Sequence, residues 1–274
     1  MELLQAELND AAMHRIIALV HDYTGITINA SKRDMLQIRL RPRLRHLGLN
    51  SYESYIDYLQ RHAEEKEFFI NRVTTNETQF FRTRRVWEYI QHHYIPQWHE
   101  QHPRETLNIW SAAASSGEEA YSLAMSCDAY QKTHAAFQYR IFGTDISTNA
   151  LGTARSGHYS GRSIEGLKSN YPAHYSEYFT KDAEGSTITP RLQQRVSFKT
   201  HSLQNPLPKG DTFSLVLLRN VMIYFSDAMQ EQVLQNLARS MQPGAILIIG
   251  ESESLARIKS PFEYIEPLIY RLPQ

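Results

Sequence analysis

Two short strings place carboxylates where a folded sheet could use them. LNIWSAAASSGEE (107–119) is an apolar run that passes through small residues to Glu118 and Glu119, and YRIFGTD (139–145) is a second apolar run ending in Asp145. In an open α/β sheet the ligand lies outside the carboxyl ends of the strands. Small residues let the backbone approach it closely, and the next helix N-terminus offers free N–H groups. Only Gly117 is present in the first loop, so the three-glycine pattern that holds a dinucleotide pyrophosphate fails. A carboxylate at the second position can accept two hydrogen bonds from a vicinal diol such as that of ribose. Ribose without a phosphate grip, beside acids able to face a positive charge, points to S-adenosylmethionine with its sulfonium and ammonium groups. Asp145 has a second reading, as a turn-forming Asp before a helix capped by Ser147. Glu118 and Glu119 are also acids that a helix dipole favours in its first turn.

A different chemistry is offered by SKRDMLQIRLRPRLRH (31–46), which holds one Lys and five Arg against the single acid Asp34. On a helix, Arg39/Arg43 and Arg41/Arg45 form two columns at i,i+4 spacing, while Leu36, Leu40, Leu44 and Leu47 form an apolar stripe ended by Gly48. Pro42 removes one backbone hydrogen bond and is expected to kink the helix or begin a new turn. A solvated face, a nucleic-acid anchor and a surface for an acidic helical protein are the three readings of the arginines.

These strings sit in two regions of different period. Over residues 10 to about 98 the apolar spacing is helical, with Met13, Ile16, Ile17 and Val20 on one face and further amphipathic runs in YESYIDYLQ, EEKEFFINRVT and RRVWEYIQHHYIPQW. After QHPRET the runs LNIW, YRIFGTD, FSLVLLRN and GAILIIG alternate with helical stretches, the pattern of βαβ units around a parallel sheet. YIEPLIYRL reads as a late edge strand or hairpin, since Pro267 is awkward in a central strand. From about 158 to 195 the alternation lapses into a polar, Tyr-rich stretch, read as an inserted β-subdomain. The expected organisation is a helical domain over 1–98 and a Rossmann-like α/β domain over 99–274.

Composition bounds the rest. Across 274 residues, 29 Lys+Arg balance 29 Asp+Glu, which excludes a uniformly basic nucleic-acid coat or a long acidic tail. The lone cysteine, Cys127, can form no internal disulfide and reads as a packing residue. MELLQAELND is acidic where a leader would be basic, and no apolar run approaches the roughly 18 residues of a membrane span, so a cytoplasmic location is expected. The pairs His92/His93 and His99/His102 lack zinc-type spacing and read as exposed helix residues, and no metal is expected.

TTNETQFFR (74–82), IWSAAASSGEEAYSLAM (109–125), FGTDIS (142–147) and LLRNVMIYF (217–225) together resemble the chemotaxis receptor glutamate methyltransferases, the CheR family. The resemblance spans almost the whole chain. It implies methyl transfer from S-adenosylmethionine to receptor glutamates, leaving S-adenosylhomocysteine. By the same resemblance Asn76, Thr78 and Arg82 face the cofactor or reaction centre, Glu118 holds the cofactor's amino-acid end, and Asp145 holds the ribose. Ser202 and Leu203 match the adenine-contacting position, although HSLQ stands where the family prefers NLL, which leaves a backbone contact but not the Asn side chain. Arg219 and Asn220 match further cofactor contacts, and Arg82 and Tyr224 are the expected catalytic pair. Arg39, Arg41, Arg43 and Arg45 would meet the receptor's helical bundle. The inserted stretch is short enough to suggest that no receptor tether peptide is required, and a monomer is expected. The rival readings are an RNA methyltransferase and a non-catalytic S-adenosylmethionine-binding adaptor.

Overall fold

A computed structural model gives the fold of residues 7–210 and 212–274, so residues 1–6 of the acidic start lie outside the described residues. The chain divides into two compact units, 1–75 with 224–229, and 76–223 with 230–274.

The first unit is built from four helices, α1 (Asp10–Thr24), α2 (Arg33–His46), α3 (Tyr52–Arg61) and α4 (Glu65–Val73). Each start and stop has a local cause. The Asn9 side chain caps α1 by accepting from the Ala12 N–H, Ser51 caps α3 through Ser54, and Gly25 ends α1 in the left-handed region. Met13, Ile16 and Val20 of α1 pack with Leu36, Leu40 and Leu44 of α2 and with Tyr52, Tyr55, Ile56 and Phe69 in one core. The leucine stripe therefore points inward as its spacing requires. α2 runs unbroken through Pro42. Residues 224–229 return to this unit: Thr27 N–H donates to the Tyr224 carbonyl (2.7 Å), and Ile26 pairs with Phe225 in an isolated antiparallel bridge.

Two of the four arginines assigned to a receptor surface are used inside this unit, which corrects the expectation for them. Arg39 donates to the Val73 and Thr74 carbonyls (2.9 and 3.0 Å) and to Thr75 Oγ1 (3.0 Å), and so satisfies the end of α4. Arg43 grips Glu65 through Nε and Nη2, at 2.6 Å for the closest contact, and lies over the Phe68 ring. The Glu65 side chain is 1% exposed and also accepts from the Tyr55 hydroxyl (2.9 Å). The hydrogen bond to Glu65 holds the Arg43 pKa above its ordinary value despite burial. Arg45 is exposed and Arg41 half-buried, with Ile38 outward at 71% exposure.

The second unit begins at residue 76 rather than after 98. α5 (Arg84–Tyr89), a π turn (Ile90–Tyr94) and α6 (Ile95–Gln101) form one continuous helical segment. It belongs with the sheet: the Tyr94 hydroxyl donates to the Ser214 carbonyl (2.6 Å) and Gln91 to Ser126 Oγ (2.9 Å). On this segment His92 and His93 are exposed as expected, but His99 and His102 are half-buried, His102 stacking on Trp98. There follow β1 (Thr106–Ser111), α7 (Glu118–Gln131), β2 (Gln138–Asp145), α8 (Thr148–Ser156), β3 (His158–Tyr159), α9 (Arg162–Asn170), α10 (Pro172–Tyr178), β4 (Phe179–Lys181), β5 (Ser186–Ile188), α11 (Pro190–Gln193), β6 (Val196–Thr200), β7 (Phe213–Leu218), α12 (Asp227–Ala238), β8 (Met241–Ile249), β9 (Glu263–Glu266) and β10 (Ile269–Arg271). The main sheet has the order β6-β2-β1-β7-β8-β10-β9, parallel from β6 to β8, with β10 and β9 antiparallel at one edge. Every residue of β7 is buried, as a strand covered on both faces must be. The order reverses at β1, which places the crevice at the carboxyl ends of β1, β2 and β7. The insertion is a three-stranded antiparallel sheet, β3-β5-β4, with α9 and α10 beside it, so it is part helical. Cys127 is buried inside α7, where burial pushes its thiol pKa up.

Replacing Glu65 by Ala leaves the Arg43 guanidinium largely buried without its counter-ion, which costs about 3 kcal/mol or more of stability. Thermal or urea unfolding of the variant reads that loss, and a change below about 1 kcal/mol would show the pair to be energetically idle.

Candidate functional site

The first loop of the crevice, residues 112–117, joins β1 to α7. Ala112 N–H donates to the Leu217 carbonyl and Ala114 N–H to the Thr144 carbonyl, both at 2.8 Å, tying the loop to its neighbouring strands. Ser115 then takes φ 50° and Gly117 φ 97°. A β-carbon on Gly117 would lie 2.8 Å from Ala154 Cβ and 2.9 Å from the Tyr159 hydroxyl, so glycine is required by conformation and by space.

Asp145, at the end of β2, is buried and forms the turn before α8 that one of its two readings expects. Its Oδ1 accepts from the Ser147 N–H (2.9 Å), the Asx turn that starts α8, and Ser147 caps that helix through Ala150. Its Oδ2 accepts from the Ser115 N–H (2.8 Å), fastening the first loop to the second. Burial raises its pKa, and these backbone donors oppose the rise. Glu118 is also buried: Oε2 accepts from Ser116 Oγ (2.7 Å) and Oε1 from Ser163 Oγ (3.0 Å) on the first turn of α9, and burial raises its pKa.

Asn76 bridges both loops, its side chain donating to Ser147 Oγ (3.2 Å) and its carbonyl accepting from Ser115 Oγ (2.8 Å). Thr78 is half-buried two residues on. The segment then turns through left-handed residues at Phe81 (φ 52°) and Thr83 (φ 68°), either side of Arg82. Such conformations cost free energy in non-glycine residues and persist where the surroundings over-determine them. Here Phe80 meets Tyr159 and Phe179 edge to face, Phe81 packs on Trp87, Tyr171 and His174, and Phe81 N–H donates to Ser122 Oγ (3.0 Å).

The Arg82 carbonyl is held twice, by Trp87 Nε1 and by Arg219 Nη2, both at 2.8 Å. Arg219 donates with Nη1 to Glu119 Oε2 (3.0 Å), whose other oxygen accepts from Ser111 Oγ (2.7 Å). The Arg219 side chain is 2% exposed and serves as a strut beneath Arg82. Among the described residues the Arg82 guanidinium makes one hydrogen bond, at 3.3 Å to the Glu77 carbonyl. Glu119, read from the sequence as an acid near the cofactor's positive charge, is paired with Arg219 instead. The two hydroxyls of the AASSG loop are the sequence signal for Ser115, while nothing local in the sequence marks Ser163.

At the end of β6, the Ser202 side chain bonds Gln204, and Asn236 donates to the Leu203 carbonyl (3.0 Å). Asn220 follows Arg219 at φ 58°. Tyr224 lies in the other compact unit, as described above. The donor set fits S-adenosylmethionine: two buried carboxylates at the β1 and β2 ends suit a cation and a diol, and the 112–119 loop has no basic side chain for a phosphate. Because burial raises both carboxyl pKa values, affinity for the cationic cofactor should weaken in acid from a higher pH than ordinary carboxylates would give. Calorimetric titration across pH 4 to 8, with a flat profile down to about 4.5, would contradict this.

Comparison with known proteins agrees with this geometry. Residues 11–74 match the CheR methyltransferase all-alpha domain, and residues 76–270 match the CheR methyltransferase SAM-binding domain. The chemotaxis protein methyltransferase of Escherichia coli is 34% identical over 274 residues, covering 97% of this chain and 92% of that protein. Chemotaxis protein methyltransferase 1 of Pseudomonas aeruginosa is 29% identical over 256 residues, covering 90% and 92%. A solved SAM-dependent methyltransferase from Methanosarcina mazei aligns over 55% of this chain and 54% of its own at 14% identity, with a TM-score of 0.35. With both of its units matched in order along nearly the whole chain, the protein belongs to the CheR family of S-adenosylmethionine-dependent methyltransferases.

Proposed function

We propose that the protein methylates glutamate side chains on the cytoplasmic helices of chemoreceptors, forming methyl esters. The observation that carries this reading is Arg82: its backbone is clamped by Trp87 and Arg219 while, among the described residues, its guanidinium makes one long hydrogen bond, to the Glu77 carbonyl. A clamped arginine with spare donors is suited to orient an incoming carboxylate through charge-assisted hydrogen bonds.

The bound cofactor supplies an electrophilic methyl group on a sulfonium. Asp145 is assigned to the ribose hydroxyls, Glu118 to the amino-acid end, Asn76, Thr78 and Asn220 to further contacts, and Ser202 and Leu203 to the base. The glutamate nucleophile has an ordinary pKa of about 4.3 and is ionised at neutral pH, so no general base is needed. The protein's part is to orient that carboxylate and strip it of water. A grip that is too strong would hold the nucleophile in its ground state, so the gain from Arg82 lies in orientation. Tyr224 is retained as a second hydroxyl donor on the resemblance of LLRNVMIYF alone.

Arg45 and the outward Ile38 of α2 are assigned to an acidic receptor helix, with Arg41 beside them half-buried and its Nε enclosed. The short strands of the insertion, two or three residues each, support methylation without a tether peptide.

Incubation with methyl-labelled cofactor and a receptor cytoplasmic fragment should give label that mild base releases; base-stable label, or label on RNA, would overturn the reading. Arg82→Ala should lower kcat by about a hundredfold with cofactor affinity retained, and full activity would remove Arg82 from the mechanism. Arg41→Ala with Arg45→Ala should raise the KM for receptor several-fold at low salt and less at high salt, with cofactor affinity constant. Unchanged methylation at low salt would exclude that surface.

A further inference from the structure

At the carboxyl end of β7 the chain presents three successive backbone N–H groups, of Asn220, Val221 and Met222, before the 3-10 turn Met222–Tyr224. All three donate to one side chain. Glu253 Oε2 accepts from Asn220 N–H (3.0 Å), and Oε1 accepts from Val221 and Met222 N–H (2.9 and 2.8 Å). A fourth donor, Gly250 N–H, reaches Oε2 at 2.6 Å, and Glu253 N–H returns a bond to the Gly250 carbonyl (3.1 Å). Consecutive N–H groups converging after a left-handed residue form a nest for an anion, and here Asn220 at φ 58° is that residue. The protein fills the nest with its own carboxylate.

The arrangement leaves little room for adjustment. A β-carbon on Gly250 would stand 2.7 Å from Glu253 Oε2, 2.8 Å from Asn220 N and 2.9 Å from Asn220 Nδ2. The loop, the carboxylate and the glycine therefore fit as one unit. Burial pushes the Glu253 pKa up, and the four backbone donors work against that rise. Neither Glu253 nor Gly250 belongs to the set that holds Asp145, Glu118 or Arg82.

We infer that Glu253 is a positioning residue for methyl transfer: its carboxylate fixes the backbone of residues 220–222, and with it the direction in which Asn220 is presented and the entry of the chain into Tyr224. Without an acceptor the three N–H groups would repel one another and turn to water, and the left-handed conformation of Asn220 would lose its support. The inference rests on the assignment of Asn220 to the cofactor for its binding readout, and on nothing beyond the reaction itself for its turnover readout.

Glu253→Gln is the direct test, since the amide has the same shape but turns a donor toward backbone donors. In the full-length enzyme it should lower kcat at saturating cofactor by about tenfold or more and raise the Kd for S-adenosylhomocysteine by a similar factor. Gly250→Ala, which crowds the same nest from the other side, should move both quantities in the same direction and serves if Glu253→Gln folds poorly. In an Asn220→Ala background, Glu253→Gln should raise the Kd by less than about twofold further, because the contact it positions is already gone. A merely structural glutamate would lower the melting temperature and leave kcat and Kd of the folded enzyme unchanged, and that result overturns the inference. Normal cofactor affinity in Asn220→Ala, with turnover still lost in Glu253→Gln, would discard the Asn220 assignment and leave the positioning role standing.

Discussion

One buried ion pair joins the parts on which the reaction centre depends. Arg219 leaves the end of β7, meets Glu119 in the first turn of α7 and, with its other nitrogen, holds the carbonyl of Arg82. Ser111, the last residue of β1, completes the set by donating to Glu119. The desolvation of such a pair is costly, and its net contribution to stability can be small. Its value here is geometric, because a planar guanidinium can satisfy a carboxylate and a carbonyl in one fixed arrangement. The left-handed residues on either side of Arg82 are then held by a strut from the sheet and by aromatic packing on Trp87, Tyr171 and His174.

The same economy recurs around the crevice. Asp145 ties the β1 loop to the β2 loop through Ser115 and Ser147, and Glu253 gathers the loop after β7. Carboxylates accepting backbone N–H groups set the three loops, and Asp145 also supplies negative charge at a strand end. The neutral total of 29 basic and 29 acidic residues is thus an average over distinct local arrangements. Acids are concentrated in the crevice, while in the arginine-rich α2 Arg39 and Arg43 hold α4, Arg41 is half-buried and Arg45 is exposed.

Much of this architecture can be read from the chain. The apolar runs of β1, β2, β7 and β8 stand out because parallel strands buried on both faces need unbroken apolar sequence. The terminal hairpin follows from Pro267, which falls in the turn between β9 and β10. β6 escapes notice because VSFKT is largely exposed on an edge. The boundary at 75 escapes because an amphipathic helix shows the same period whether it packs on helices or on a sheet. The leucines of α2 announce their face, but the arginines do not: Arg39 and Arg43 find acceptors 34 and 22 residues away, a fact of tertiary reach rather than of spacing. Asp145 and Glu118 are legible as strand-end acids, whereas Glu253 is hidden because its partners are main-chain groups, which any sequence could supply.

If Arg82 acts from a position set by Arg219, a double-mutant cycle on methyl transfer to a receptor fragment will show the two side chains to be coupled. Arg219→Lys keeps the charge beside Glu119 but cannot reproduce the fork that also holds the Arg82 carbonyl. The account predicts a loss in kcat of about tenfold or more for Arg219→Lys alone, and less than about twofold further loss when Arg82 is already Ala. Equal losses in both backgrounds would mean that the two arginines act independently and would contradict it.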